Sequence, residues 1–172
     1  VMFAPIGFVL LMSFRFQKLS AMQLSGLFLV YAVLVGLSLS FIFLVYSMGS
    51  IATTFGVTSL TFGVMAVAGY TTKTDLTKFG SILMMALVGI IIASLVNFFL
   101  KSDSMQYLIS FVGVLIFTGL TAYDVQKLKK LGAEMTAGHE STRKYAVMGA
   151  LSLYLDFINL FLFLLRFLGR RN

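Results

Sequence analysis

Apolar runs of about twenty residues, separated by short polar connections, dominate this sequence at 24–46, 51–70, 79–100, 105–126 and 145–169. A bilayer's hydrocarbon core is about 30 Å thick, and a helix rising about 1.5 Å per residue crosses it in about 20 residues. Helices also satisfy their own backbone polar groups, which lipid cannot do. The chain is therefore read as an all-α integral membrane protein, a polytopic helical bundle forming one transmembrane domain over residues 1–172 with five full spans. A shorter apolar run at 1–14 lacks an initiator Met and a charged flank, so it reads as a partial span whose helix begins upstream. Only 11% of the residues are charged, against about 25% in a soluble domain.

The chain has no cysteine, which removes disulfides, thiolate nucleophiles and Cys-based metal sites. Its net charge of +7 would raise the question of nucleic acid in a soluble protein. Here the cations lie at the ends of the apolar runs, so they act as topology signals, and no nucleic-acid partner is expected. Nine of them (Arg15, Lys18, Lys73, Lys78, Lys127, Lys129, Lys130, Arg143 and Lys144) fall on one side of the implied bundle. Four (Lys101, Arg166, Arg170 and Arg171) fall on the other. The positive-inside rule puts the larger set, and the long polar segment 127–144, in the cytoplasm and the C-terminus outside.

Tyr46, Tyr70, Tyr107, Tyr123 and Tyr145 fall at the ends of the runs, where an aromatic belt places amphipathic rings. Small residues four apart, Gly36 with Ser40 and Ala52 with Gly56, are expected to pack helices closely within the bundle. His139 lies in the polar segment without other ligand types beside it and reads as solvated.

Of six acidic residues, only Asp124 and Asp156 lie inside apolar runs. An ionised side chain at mid-span costs about 2.5 to 3.5 kcal/mol on the mildest scale, so each needs a partner or a function. Helical spacing puts Asp156 on one face with Gly149, Ser152, Asn159 and Arg166, a polar stripe that should turn away from lipid. Asp124 lies near the cytoplasmic end of its run, where it could instead be an interfacial residue paired with Lys127 or Arg15. The two runs are consecutive and should form an antiparallel hairpin. A turn centred near Ala137 leaves the two aspartates about six residues, or roughly 9 Å, from equal depth. Tilt, an asymmetric turn or a broken helix could close that gap. Two carboxyls that met in a water-poor site would share a proton and, once ionised, offer hard oxygen ligands suited to Ca²⁺. Ser152 and Asn159 could add neutral oxygens. The alternative for Asp156 is a purely structural hydrogen-bond acceptor.

The stretches "GALSLYLDFINLFLFLLRFLG", "TGLTAYDVQKLK" and "AGYTTKTDLT" together resemble the Bax inhibitor-1 family, the transmembrane Bax inhibitor motif proteins, and especially its bacterial members. The likeness covers essentially the whole chain. It implies a seven-helix bundle with the last helix near the centre, a bacterial inner-membrane location, and a pH-sensitive Ca²⁺ leak. It also implies that the first family helix and part of the second precede Val1. The family's two functional aspartates match Asp124 in "AYD" and Asp156 in "YLDF", and a basic gating residue matches Arg15 in "SFRFQK". Family members also resemble modulators of a membrane AAA protease and suppressors of cell death, so a regulatory role on another membrane protein is the alternative. No enzymatic activity is expected. "AYD" shares Tyr-Asp with intramembrane aspartyl proteases, but "LYLDF" lacks the Gly-x-Gly-Asp setting of their second acid. No cofactor is expected beyond Ca²⁺ as the transported or bound ion, with protons and membrane lipid as the other partners.

Overall fold

A computed structural model describes residues 12–171. The partial span at 1–14 lies mostly outside the described residues, and the part within them, 12–15, is helical. Six helices follow: α1 (Ala21–Leu39), α2 (Ile42–Val45), α3 (Met48–Thr71), α4 (Thr77–Leu100), α5 (Asp103–Glu134) and α6 (Glu140–Leu168). Five spans, with α1 and α2 counted as one, are long and apolar enough to cross a membrane.

Polar residues at the run ends set the helix starts. Ser20 and Gln23 form a reciprocal capping box at α1, Ser47 caps α3 and Ser102 caps α5, each hydroxyl accepting an otherwise unpaired N–H. The first span breaks after Leu39. Ser38 and Ser40 hydroxyls donate to the Leu34 and Leu37 carbonyls, and the backbone shifts to three-residue bonds from Phe43 to Ser40 and from Leu44 to Phe41. Serines bonding back to the preceding turn bend helices in this way.

Packing centres on the α5–α6 hairpin. Half of the most apolar stretch of α5 is buried and 33% of that of α6, against 11% for α3 and 17% for α4. α3 and α4 pack on α5, α3 also packs on α6, and α1 packs on α6. One cluster joins Leu83 and Ile90 of α4 to Ile116, Phe117 and Leu120 of α5 and to Leu160 and Leu164 of α6. A second joins Met12, Leu24, Tyr31 and Val35 to Leu151. The outer faces of α1, α3 and α4 carry exposed Leu29, Leu60, Ile92 and Phe99, the surface a lipid-facing helix presents.

Three expectations need correction. The segment 127–144 is not a long loop: α5 continues to Glu134 and α6 begins at Glu140, leaving a turn at 135–139 with Gly138 at φ 88°. Gly36 and Gly56 pack on nothing among the described residues. Other glycines do meet a neighbouring helix, among them Gly69, against the Ala122 backbone, and Gly80, under the Tyr123 ring. Tyr46 is buried, its backbone paired with Arg171, and does not sit in an outer aromatic belt. Tyr70, Tyr107 and Tyr145 are exposed as expected.

Candidate functional site

The α5–α6 register is visible in Phe117 and Phe163, whose rings stack with centroids 5.8 Å apart. Two helical turns further along each antiparallel helix from that contact come Asp124 and Asp156. The expected gap in depth is therefore closed, and both helices are unbroken at this level. Asp124 and Asp156 are therefore neighbours across the α5–α6 contact. Ser152 Oγ donates to Asp124 Oδ2 at 2.6 Å. Asp156 is 5% exposed, and its Oδ2 receives no hydrogen bond. The close approach is permitted by Gly149, which leaves its space to the Leu128 side chain.

Asp124 and Ser152 form one wall of a cavity of about 410 Å³. Lys127, Leu128 and Leu131 of α5 and Tyr145, Met148 and Gly149 of α6 also line it, and Ser13 and Phe16 contribute from the N-terminal segment. Asp156 does not line the cavity. The N-terminal segment is held in place by α6: Lys144 Nζ donates to the Gln17 carbonyl at 3.3 Å, and the Phe16 and Tyr145 rings meet at 5.1 Å.

Other members of the expected set are placed differently. Arg15 is exposed, is bonded through its carbonyl to Lys18 and Leu19, and does not line the cavity. Asn159 turns its amide back to the Leu155 carbonyl at 2.8 Å. Arg166 leaves the polar stripe to lie over the Phe163 ring at 5.8 Å. His139 is exposed at the start of α6. Asp124 makes no ion pair with Lys127 or Arg15 among the described residues, where the one ion pair is Lys130 with Asp75 at 2.7 Å. Lys130 and the Thr77 hydroxyl hold the Asp75 carboxyl well below the usual carboxylate range.

The donor set is two carboxyls and one hydroxyl, and no group of three or more His, Cys, Asp or Glu occurs among the described residues. Ca²⁺ takes six to eight oxygens in typical sites, so such an ion held here would keep much of its water.

The sequence reading missed Gln126. It is buried at 5% exposure, Oε1 accepts from Leu76 N–H at 2.9 Å, and Nε2 donates to the Thr74 carbonyl at 2.7 Å. A lone Gln at the polar end of an apolar run carries no sign that it faces inward.

The model of the family described as "Inhibitor of apoptosis-promoting Bax1" matches residues 1–172. The chain belongs to this Bax inhibitor family. "Inner membrane protein YbhL" of Escherichia coli strain K12 is 53% identical over 170 residues, covering 98% of this chain and 73% of the relative. An uncharacterized protein of Borreliella burgdorferi is 54% identical over 166 residues, covering 96% and 72%. Uncharacterized protein RP147 of Rickettsia prowazekii is 47% identical over 172 residues, covering 100% and 72%. This Bax inhibitor family member is thus an inner-membrane helical bundle.

Proposed function

We propose that this Bax inhibitor family protein is a proton-sensitive Ca²⁺ leak whose ion site is the Asp124–Asp156 pair. The observation that carries the reading is the meeting of two carboxyls inside the spanning region, one with an unpartnered buried oxygen and the other lining a cavity. A pair holding one proton between them carries a single negative charge and stays joined, the closed state; when both are ionised they repel each other and present oxygens to a cation. Ser152 fixes the Asp124 carboxyl and adds a neutral oxygen. The cavity would be the cytoplasmic vestibule, on the orientation given by the nine cations of that end. The role is transport and not catalysis.

Ca²⁺ entry into dye-loaded proteoliposomes between pH 6 and 8 tests this. Flux is expected in the wild type, rising with pH, and its loss is expected in Asp124→Asn/Asp156→Asn. Equal flux in the double variant would sink the ion-site reading, and a folded wild type without flux would favour the regulatory role on another membrane protein.

A further inference from the structure

We infer that Gln126 is a positioning residue for the carboxyl pair, its buried amide fastening the α3–α4 connection to α5 and so fixing the face of α5 that carries Asp124 toward α6. The inference rests on the pair being a working site, as proposed above.

The latch is built from contacts that bridge some fifty residues of sequence. Both polar atoms of the Gln126 amide are used, by Leu76 N–H and the Thr74 carbonyl. Its orientation is dictated by its partners, because an N–H requires the oxygen and a carbonyl requires the NH₂. Two further bonds on the same side of α5 complete it: Lys129 Nζ to the Tyr70 carbonyl at 2.7 Å, and Lys130 to Asp75. Just below, Ala122 packs on Gly69 and Tyr123 on Gly80.

Gln126 and Asp124 are two residues apart, about 200° around the helix, so they point to opposite sides. A helix is stiff against local twisting, and with its outer face bonded to one connection its inner face has one azimuth. Asp124 is then presented to Ser152 and Asp156. Beyond Gln126, the contacts on this side of α5 include those of Lys129 and Lys130, which are exposed, and exposed pairs contribute little.

The charged and titratable groups around the latch are Tyr123, Lys127, Lys130 and Glu134, with Asp75 and Lys129. Those facing Asp124 are Lys127, Tyr145 and Asp156. Asp75 stays ionised above about pH 4 and contributes no titration between pH 6 and 8.

The test reads the carboxyl pair directly, by pH-dependent infrared difference spectroscopy of the protonated C=O stretch in the intact reconstituted protein. Asp124→Asn/Asp156→Asn identifies the signal. Gln126→Leu removes both bonds and is expected to move the titration midpoint by at least about half a pH unit. Gln126→Glu keeps the acceptor for Leu76 and is expected to give a smaller shift. Gln106→Leu, which removes an amide contact with Asn97 at the other end of α5, is the structural control and is expected to give none. A wild-type midpoint in a folded Gln126→Leu overturns the inference; if that variant does not fold, a wild-type midpoint in Gln126→Glu does so. Flux is recorded in parallel. Wild-type protein that titrates but carries no Ca²⁺ ends the transport reading and leaves the positioning role to the infrared result.

Discussion

Asp156 holds a carboxyl oxygen that no donor reaches, in a helix of otherwise apolar purpose. A structural acceptor would have a donor, and its loss would be destabilising; an unsatisfied buried carboxyl is retained at a cost. Asp156→Asn is therefore expected to leave the melting temperature unchanged or raised while abolishing flux. A drop of several degrees with flux intact would return Asp156 to a structural role. Ser152→Ala removes the 2.6 Å bond to Asp124. It is expected to cost about 1 kcal/mol in stability and to move the midpoint of the flux–pH curve, checked by thermal melting and the proteoliposome assay. Asp124 and Asp156 were legible because a charge inside an apolar run is expensive wherever it points. Gln126 was not, because an amide at a run end costs little if exposed, and only the fold shows that it is buried.

At the scale of elements, glycines divide by what lies above them. Gly69 sits on the Ala122 backbone, which cannot move aside as a side-chain tip can, so Gly69→Ala is expected to cost about 1 to 3 kcal/mol or more. Gly36→Ala meets open space and is expected to be neutral or stabilising by up to about 1 kcal/mol. Denaturation in detergent micelles measures both. Spacing by four marked Gly36 and Gly56 in the sequence, but spacing alone does not say which face of a helix meets a neighbour. Hydropathy placed all five spans and misjudged the end of α5 for a related reason. Lys127 ends the stretch suited to lipid, yet "KLKKLGAE" is a good helix former, and the helix runs on into water to Glu134.

For the whole molecule, the charge count predicts sidedness, and the absence of cysteine makes it simple to check. A single cysteine at Ala137, in the α5–α6 turn, is expected to react with an impermeant maleimide from the cytoplasmic side only. The Asp75–Lys130 pair provides a separate acid-range test. Because the folded Asp75 carboxyl is held below its unfolded value, the pair's contribution is complete above about pH 4 and is lost as pH falls below it. The melting difference between wild type and Asp75→Asn is accordingly expected to be small at pH 6 and to vanish on acidification, while flux between pH 6 and 8 is unchanged.

α6 is tied down at both ends. At its start Glu140 Oε1 accepts from Ala21 N–H at 2.6 Å. Past its far end Arg170 N–H donates to Ser50 Oγ at 2.9 Å and its carbonyl accepts from Ser47 N–H at 3.2 Å. A rod moored at both ends resists sliding along its length, so the depth at which α6 carries Asp156 is set from both of its ends at once.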